Sequence, residues 1–586
     1  MKKVMFLMLT SAMMLMQGCT QESENDWFSS DYTPMDPNGS MGTQGGATSS
    51  GSSELTTFAV NLDKTTAEPS TSVEAYYPEE EDNLENNSFA TEVHITFNGN
   101  SAAYDAVDGV TMTANGAHLV ANHASTKGVC YVVSGTTTDG SLTIVGDKKF
   151  ELKLNGVDIT NPDSSAVNLL SKKRAYVYLA DGTTNRLSDG TTSKAADQKA
   201  AFYGKGKMLF NGTGSLEVYG NYNNGLHCAD YIVFGKGNNI YVKSTANHGI
   251  KANDGIYVNG GILNVEVSAA AAKGLNCESN IQFNGGRTTV ITTGHGTYED
   301  GEAKASAAVK ADSIITVNGG ELWLKSTGSG GKGLKADWEI YLNGGSVSVI
   351  TEGSKYTSGN DTASPKGIKA GTKNVHGVLD INGGTIMVRT SGQNGEGIES
   401  KGTLTVSDGT VQVAAYDDAV NSSGNMYVKG GTMTVVGQNS DGLDANGNMY
   451  ISGGTVVAFG AGGAETGIDV GEQYKLNITG GNIFGIGGRI DATLGSTSQG
   501  IISATGSVSA NTSVTVSNGS STLATFVMPP YNYNNGSIML STTGMTSGNS
   551  YTVTFGSSSQ TLTASSSLSS SGMGGNMGFG GKPGGK

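Results

Sequence analysis

Residues 333–350 read Gly-Leu-Lys-Ala-Asp-Trp-Glu-Ile-Tyr-Leu-Asn-Gly-Gly-Ser-Val-Ser-Val-Ile, and the return of this pattern along the chain decides the fold. A short strand-like segment is followed by a second that ends at a Gly-Gly pair, and then by a third. Between about residues 220 and 490 the pattern recurs every 22 to 25 residues, or every 30 to 34 where a loop is inserted. The opening segments share one motif: Gly225-Leu-His-Cys, Gly249-Ile-Lys-Ala, Gly274-Leu-Asn-Cys, Ala308-Val-Lys-Ala, Gly333-Leu-Lys-Ala, Gly367-Ile-Lys-Ala, Gly397-Ile-Glu-Ser, Ala419-Val-Asn-Ser, Gly442-Leu-Asp-Ala and Gly467-Ile-Asp-Val.

No single copy of the pattern can bury its own apolar face, because each strand-like segment has only three to five residues. Stacked copies can, with parallel strands about 4.8 Å apart. The sequence therefore predicts an all-β chain whose bulk, residues 91–495, is a right-handed parallel β-helix with three short strands per coil. Residues 496–560 lack the repeat, and we expect them to form a small C-terminal β cap.

Asparagine stands directly before several of the Gly-Gly pairs. When the copies stack, these amides would lie above one another and form a hydrogen-bonded ladder along the turn. The glycines that follow supply the positive φ that such a corner requires. The asparagines are Asn259, Asn284, Asn318, Asn343 and Asn382.

Two of the four cysteines, Cys228 and Cys277, fall at the same inward position of copies that lie two apart. At the β spacing they would be about 9.6 Å apart, which is beyond the reach of a disulfide. We expect them to be small core residues. The cysteines and the seven histidines show no metal-binding spacing, so a zinc site is not expected.

The two ends of the chain carry targeting and tether sequence. Residues 1–18 are predicted to be a signal peptide, and Met16-Gln-Gly-Cys19 resembles a bacterial lipobox in which Cys19 is lipidated. Residues 19–55 are expected to be a disordered tether, residues 56–90 a linker or N-terminal cap, and residues 561–586 a disordered Gly/Ser-rich tail. The acidic residues just after Cys19 favour an outer-membrane lipoprotein on the cell surface, with periplasmic retention as the alternative.

The chain is acidic, with a net charge of −15, and this excludes non-specific binding to nucleic acid, which needs a basic surface. The charge is also segregated along the outward motif positions, with lysines up to residue 369 and acids from residue 396. The lysine stretch suits an anionic ligand such as a uronic-acid polymer, or else is a solubilising stripe. Its candidate ligand-binding residues are Lys310, Lys332, Lys335, Lys366 and Lys369.

The acidic stretch suits Ca²⁺, because it brings several hard oxygen donors from adjacent copies into one small volume. Like charges stacked one coil apart repel each other, and a cation would relieve that repulsion. The alternative is a solvated acidic face without a metal. The candidate metal ligands are Asp417, Asp418, Asn421, Asp441, Asp444 and Asn446.

Outward aromatic residues form a second candidate surface. Exposed rings on a flat sheet can contact the apolar face of a sugar, although tyrosine also has a high intrinsic β-propensity. Four tyrosines share one position of the second strand, and a tryptophan lies on the third. The set is Tyr257, Tyr341, Tyr427, Tyr450 and Trp323.

The segments that begin at Asp417 and Asp441, together with the upstream Lys-Gly-Ile-Lys-Ala copies, resemble the bacterial carbohydrate-binding domain-containing β-helix family. The resemblance covers roughly residues 91–490. It implies a cell-surface protein with a pectate-lyase-like fold, bound calcium and affinity for plant polysaccharides, including polygalacturonate. By the resemblance, calcium falls on Asp417, Asp418, Asp441 and Asp444. The copy at Thr466 lacks the acidic residue before glycine and is a doubtful site.

The leading functional prediction is a non-catalytic, calcium-dependent polysaccharide-binding surface lipoprotein, with no catalytic residues. One alternative is a calcium-dependent, pectate-type polysaccharide lyase, in which Lys366 or Lys369 would be the base. Another is a structural adhesin that binds protein. Fold alone does not decide between them.

Overall fold

The computed structural model describes residues 73–195 and 197–568, and the short strand Thr48–Ser49. The predicted signal peptide, the predicted lipidation site Cys19, the rest of the predicted tether to residue 55, residues 56–72 and the end of the tail from residue 569 lie outside these residues. The described part is all-β, with two 3₁₀ turns at Glu80–Asp82 and Leu84–Asn86. It includes no helix long and apolar enough to span a bilayer.

The opening motif of each copy forms a strand, and these strands pair in parallel in one sheet, which we call the motif ladder. Only a strand at the start of the sheet, Thr111–Asn115, pairs antiparallel. The parallel strands in chain order are Ala117–Asn122, Gly140–Val145, Val167–Leu169, Ala200–Gly204, Asn224–Cys228, Ile250–Ala252, Lys273–Cys277, Ala307–Ala311, Lys332–Ala336, Lys366–Ala370, Glu396–Ser400, Val420–Ser422, Leu443–Ala445 and Ile468–Val470.

The second segment of each copy forms another parallel ladder, which we call the second ladder. It begins with Thr91–Asn98, which also pairs antiparallel with Ser101–Tyr104. The other strands are Val129–Thr137, Phe150–Asn161, Ala175–Leu179, Met208–Gly212, Tyr231–Phe234, Gly255–Val258, Asn280–Phe283, Ile314–Val317, Glu339–Leu342, Val378–Ile381, Thr403–Val406, Met426–Val428, Met449–Phe459, Leu476–Gly487 and Leu494–Thr497.

The third segments form a third ladder in the same way. The long strands Phe150–Asn161, Met449–Phe459 and Leu476–Gly487 run through both the second and third ladders. The remaining strands are Thr184–Asp189, Ser215–Gly220, Asn239–Ser244, Ile262–Val267, Arg287–Thr292, Glu321–Ser326, Ser346–Thr351, Thr385–Thr390, Thr410–Ala415 and Thr432–Gly437. Three long parallel ladders, each receiving one strand per copy, agree with the predicted β-helix-like fold.

The apolar positions of all three ladders point into one continuous core of valine, isoleucine and leucine side chains. Cys228, Ala252 and Cys277 follow one another in register, and both cysteines are buried and free. The sequence prediction for these cysteines is therefore confirmed. Parallel register therefore places a small inward residue at the same position of three successive coils.

Antiparallel strands follow the last coil. Tyr531–Ser541 pairs with Leu476–Gly487 and with Ile501–Val508. A separate four-stranded antiparallel sheet contains Ser513–Asn518, Ser521–Val527, Ser550–Phe555 and Ser558–Thr563. Their apolar residues form a second core with aromatic side chains of the last coils, such as Phe459 and Phe484. The last strand, Ser558–Thr563, extends past residue 561, where the tail was expected to begin.

Two hairpins are inserted between the third and motif ladders, in the copies with the longer repeat. They are Thr297–Glu299 with Glu302–Lys304, and Tyr356–Ser358 with Asp361–Ala363. The Ala303 amide of the first hairpin donates to the Asp361 carboxylate of the second at 2.5 Å. Hairpins from two non-adjacent coils therefore meet above the coil between them.

Residues 73–90, which we call the N-terminal strap, lie against the start of the second ladder. Arg174 of that ladder forms ion pairs with Glu79, with Glu81 at 2.9 Å and with Asp82 at 2.8 Å. The Asp82 carboxylate is buried and also accepts a hydrogen bond from the Tyr231 hydroxyl at 2.7 Å. A buried carboxylate needs such partners, because desolvating an unpaired charge is costly.

The predicted asparagine ladder is present. Each side-chain amide donates to the carbonyl oxygen of the amide in the preceding coil, at 2.9 Å in all four steps from Asn382 back to Asn259. At the start of the ladder, Asn259 exchanges two hydrogen bonds of 2.8 Å with the backbone of Tyr76. The amides thus bond mainly to one another along the turn. The backbone of the N-terminal strap supplies the remaining hydrogen-bond partners of Asn259, the first amide of the ladder.

Replacing Asn284 by leucine is expected to lower the free energy of unfolding by about 1–3 kcal/mol, because it removes a buried amide that donates to Asn259 and leaves the half-buried Asn318 amide without its acceptor. The thermal unfolding midpoint measures this. Asn382→Leu is the matched control: Asn382 is exposed at the end of the ladder, so its loss should cost less than about 1 kcal/mol. Equal losses for the two variants would contradict a cooperative ladder.

Candidate functional site

The outward positions of the motif ladder form two adjacent columns of polar residues, which we call the charged face. One column contains the residue before each motif glycine or alanine, and the other contains the third motif residue. Parallel register makes each residue a neighbour of its counterpart one coil on. The second column runs Tyr203, His227, Lys251, Asn276, Lys310, Lys335, Lys369, Glu399, Asn421, Asp444 and Asp469.

The predicted lysines lie in these columns, but most are ion-paired rather than freely solvated. Lys310 pairs with Asp312 and, at 3.2 Å, with Asp337, whose carboxylate also binds Lys335 at 2.9 Å. These partners come from the corner directly after each motif strand. The sequence pattern did not reveal this neutralisation, because Asp312 and Asp337 follow the motif and were not counted with the stacked column.

The basic and acidic stretches meet at Glu399, whose side chain is only 3% exposed. Lys369 and Lys366 approach it from the preceding coil, and Lys401 lies at 2.5 Å. Burial opposes the charge on Glu399, but the three ammonium groups outweigh it and lower its pKa to about 2. This junction is therefore a compact, almost fully paired ionic cluster.

Lys366, one of the two lysines considered as a lyase base, is closely bound to Glu396. Burial lowers the pKa of Lys366, but Glu396 and Glu399 outweigh burial and raise it above the ordinary value. Lys366 therefore holds its proton in this cluster. For Lys369 burial dominates and lowers the pKa, although Glu399 partly compensates.

The acidic end is arranged differently. The Asn421 side-chain amide donates to Asp418 at 3.2 Å and to Asp444 at 2.8 Å, so it bridges carboxylates of two coils. Asn446 donates to the same Asp444 oxygen at 3.2 Å. Four of the six predicted calcium ligands thus share one hydrogen-bonded group.

The other two predicted ligands stand at its border. Asp441 accepts the Thr466 amide at 2.6 Å, and its own amide donates to Asp418 at 3.1 Å. Asp417 interacts with Lys366 and Ser440 as well as with Asp418. Asp418, Asn421, Asp444 and Asn446 are therefore joined by direct side-chain hydrogen bonds. Asp417 lies at the edge of this group.

Within the described residues, Asp417, Asp418, Asp441 and Asp444 form no ion pair with a lysine, arginine or histidine. Burial, together with the neighbouring carboxylates Asp418 and Asp469, raises the pKa of Asp444 to about 7. Burial, reinforced by the same two carboxylates and opposed by the Thr466 amide, raises the pKa of Asp441 to about 8. This end of the charged face thus holds carboxyl groups whose ionised form no lysine, arginine or histidine of the described residues balances.

The donor set fits calcium by its chemistry, since it consists of carboxylate and amide oxygens from neighbouring coils. Across residues 73–195 and 197–568, however, no group of three histidine, cysteine, aspartate or glutamate side chains is assembled as a ready-made metal site. Holding a cation here would require Asn421 and Asn446 to present their carbonyl oxygens in place of the amide groups that now bond to Asp444.

The predicted aromatic residues fall into different environments. Tyr427 and Tyr450 lie in register on adjacent coils, with ring centroids 5.0 Å apart and planes within 7° of parallel. This placement was expected from the sequence. Because the rings stack on each other, one face of each is already covered. Asn425 also donates to the Tyr427 hydroxyl at 3.1 Å, and the Lys429 ammonium lies 5.8 Å from the Tyr427 ring centroid. The ring edges and the outer face of Tyr450 are offered to a ligand.

The other three predicted aromatics already have partners in the protein. Tyr76 of the N-terminal strap packs on Tyr257 with ring centroids 5.2 Å apart. The Tyr341 hydroxyl donates to Glu339 at 2.7 Å, and the Arg287 guanidinium lies 4.9 Å from the Trp323 ring centroid. Tyr427 and Tyr450 are therefore the members of this set that remain most suitable for a sugar.

Sequence reasoning passed over three residues near the basic stretch. Lys273 shares the column of Lys332 but was not included with the candidate lysines. Trp338 and Tyr298 have exposed side chains, at 55% and 50%. Trp338 lies at a corner and Tyr298 lies in an inserted hairpin. Both are outside the repeated strand positions, so the periodic pattern gave no signal for them.

Comparison with known proteins assigns the chain to a family. The family described as "Carbohydrate-binding domain-containing protein" matches residues 108–269, 233–393 and 376–576, which together cover well over half of the chain. The chain belongs to this family. The resemblance recognised from the acidic and lysine motifs is confirmed at the level of the family.

A relative with the same description, from Acetivibrio thermocellus, is 29% identical over 157 residues, which are 26% of this chain and 52% of the relative. The chain thus spans about half the length of the curated relative it matches. Among solved structures, a polysaccharide lyase-like protein from C. thermocellum, determined as a gadolinium derivative, aligns over 66% of this chain and 100% of its own. Its identity is 16% and its TM-score is 0.23, so this alignment carries no argument about the present chain.

Replacing Lys366 by methionine is expected to destabilise the protein by about 3–5 kcal/mol, because it leaves Glu396 and Glu399 buried without this cation. Chemical denaturation measures the loss. Lys194→Met removes a lysine that is 81% exposed and paired with Asp163, and should change stability by less than about 1 kcal/mol. A K366M protein as stable as K194M would show that the junction is solvated rather than buried.

Proposed function

We propose that this protein is a non-catalytic, calcium-dependent polysaccharide-binding protein that favours acidic plant polysaccharides such as polygalacturonate. The observation that carries the proposal is the charged face, a continuous set of stacked lysines and carboxylates along the motif ladder of a carbohydrate-binding family member. An acidic polysaccharide repeats its charges along its length, and the ladder repeats charged side chains along one direction. The polymer can therefore lie along the charged face. Tyr427 and Tyr450 add an aromatic contact on the neighbouring ladder.

Calcium would be held by Asp418 and Asp444 with Asn421 and Asn446, and Asp441 and Asp417 would stand at the border of the site. The support is that no cation in the described part of the protein pairs with these carboxyl groups, in contrast to the paired carboxylates upstream, so a bound cation would stabilise their ionised form. When bound, the cation would supply positive charge that links protein carboxylates to uronate carboxylates. Lysines of the basic stretch then pair with further uronates.

The same proposal includes the architecture and location predicted from the sequence. The ladders would wind as a right-handed parallel β-helix with three strands per coil, and residues 496–560 would cap its end. A lipid on Cys19 would be the protein's contact with the outer membrane, with the binding domain held at the cell surface by the tether. Labelling with a radioactive fatty acid, lost in Cys19→Ala, tests the anchor.

Adding calcium to chelator-treated protein should raise the unfolding temperature, because a ligand that binds only the folded state stabilises it by about 2.7 kcal/mol at a hundred times its dissociation constant. Asp444→Asn should remove most of this rise by deleting a ligand charge. Asp108→Asn, a change of the same charge at an exposed position, should retain it. An identical calcium response in D444N and D108N would refute the assignment of this site.

Binding to polygalacturonate should weaken as salt rises, since screening acts over about 8 Å at physiological ionic strength. Binding to a neutral glucan should depend little on salt and should fall in the Tyr427→Ala/Tyr450→Ala double variant, with Tyr104→Ala as an exposed control. Affinity electrophoresis with both polymers measures this. Equal neutral-glucan binding by the variant and control would remove the tyrosine pair from the proposed surface, and release of unsaturated uronates would establish a lyase instead.

A further inference from the structure

Two lysines of the charged face differ from all the others in their surroundings. Lys273 lies in register with Ala307, and Ala307 lies in register with Lys332. The two lysines are therefore in the same column with one alanine between them, and their backbones are about 9.6 Å apart at the parallel strand spacing. Both side chains are partly buried.

Neither lysine has an acidic partner. The Lys332 ammonium donates to the Gly330 carbonyl at 2.8 Å, and the Lys273 ammonium donates to the Ala271 carbonyl. Among the described residues, no carboxylate lies within ion-pair distance of either, whereas Lys310, Lys335, Lys366 and Lys369 each have one or two. Glu299 is the acid that acts most strongly on Lys273, but it forms no ion pair with it.

The surroundings oppose the positive charge of both groups. Burial, followed by the ammonium groups of Lys335 and Lys369, lowers the pKa of Lys332 well below its usual value. Burial, followed by Lys335 and Lys310, lowers the pKa of Lys273 to about 8. A carbonyl oxygen compensates a buried ammonium only in part, so the free protein retains an electrostatic cost here that an anion would remove.

The inserted hairpins define the position further. They rise from the coils on either side of Lys332 and meet at the Ala303–Asp361 hydrogen bond. A Cβ built on Gly330, the residue whose carbonyl holds Lys332, would lie 2.8 Å from the Ala363 carbonyl oxygen and 3.1 Å from Ala305. The hairpins therefore cover the approach to this coil from one side and leave the lysines in a sheltered position.

Exposed aromatic rings belong to segments that adjoin the Ala307 and Lys332 strands along the chain. Tyr298 belongs to the hairpin that precedes the Ala307 strand, and Trp338 comes two residues after the strand that begins at Lys332. Both are among the most exposed large apolar side chains of the described residues. Such rings contact the apolar faces of sugars, so the ligand suited to this place carries both a negative charge and a sugar ring.

We infer that Lys273 and Lys332 form an anion subsite, sheltered by the two hairpins and with the exposed rings of Tyr298 and Trp338 on adjoining segments, that takes the negatively charged group of an acidic sugar. The inference rests on the proposed function and narrows it, because it assigns the anion to two lysines that no protein carboxylate neutralises. The ion-paired lysines, which protein carboxylates neutralise, then act as the framework around these two. The charged group is a uronate carboxylate or a sulfate ester, which present the same charge to an ammonium.

Isothermal titration with trigalacturonate and with a sulfated trisaccharide, each beside its neutral counterpart, tests this subsite. The Lys273→Met/Lys332→Met double variant should lose about tenfold or more in affinity for an acidic trisaccharide, the range expected when charge-assisted hydrogen bonds are removed. Lys325→Met, which deletes an ion-paired lysine on the third ladder, should bind as wild type does. The acid that shows the loss identifies the charged group.

Thermal unfolding separates a binding role from a structural one. Methionine replaces the lysine stem with an apolar chain of similar length, so the double variant should unfold at the wild-type temperature or above it, since a partly buried unpaired charge has been removed. A clear fall in its unfolding temperature, or acidic-trisaccharide affinity equal to that of K325M, would overturn the subsite.

Inorganic sulfate distinguishes failure of the subsite from failure of the proposed function. Sulfate should raise the unfolding temperature of the wild type and of K325M more than that of the double variant. If this difference holds while no polysaccharide binds, the anion subsite stands and the proposed function fails. If polysaccharide binds but sulfate stabilises all three proteins equally, the subsite is wrong and the proposed function stands.

Discussion

Parallel in-register stacking is the constraint on which the rest of this structure depends. Every side chain on a ladder lies about 4.8 Å from its counterpart in the next coil. Each position must therefore hold a residue that can pack against, or bond to, a similar residue. Apolar residues satisfy this easily and build one continuous core. Asparagine satisfies it as well, because its amide is both donor and acceptor and can bond to a copy of itself, as Asn259 and Asn284 do.

Charged residues cannot stack on their own kind without a compensating charge, and the two halves of the charged face differ in how they meet this requirement. In the basic half, carboxylates at corners or in the next coil, such as Asp337 and Glu399, approach the lysines directly. In the acidic half, Asn421 separates Asp418 from Asp444, and no cation of the described chain joins them. The internal pairing makes most lysines of the basic half part of the framework, with Lys273 and Lys332 as the exceptions. The carboxyl groups of the acidic half have no cation of the described chain beside them and are left for an outside partner.

The aromatic column of the second ladder is divided in a similar way. At its start, the N-terminal strap covers Tyr257 through Tyr76 and anchors itself through Asp82 to Arg174 and Tyr231. Farther along, Tyr427 and Tyr450 have no such cover and stack on each other. The same position of the repeat therefore has two roles. Tyr257 binds the strap, whereas Tyr427 and Tyr450 lie in later coils that the strap does not contact.

The sequence by itself determined the ladders, the inward cysteines, the asparagine stack and the columns in which lysines and acids lie, because all of these follow from the period of the repeat. It also indicated the family, through the acidic and lysine motifs. Only the tertiary structure decided which charges are neutralised: Asp312 and Asp337 reach Lys310 and Lys335 from corner positions outside the motif. The meeting of the two hairpins above Lys332 and the docking of Tyr76 on Tyr257 were likewise hidden. The hairpin contact and the docking of Tyr76 join segments that are far apart in the chain and lie outside the repeated strands. A periodic pattern contains no information about where such segments fold.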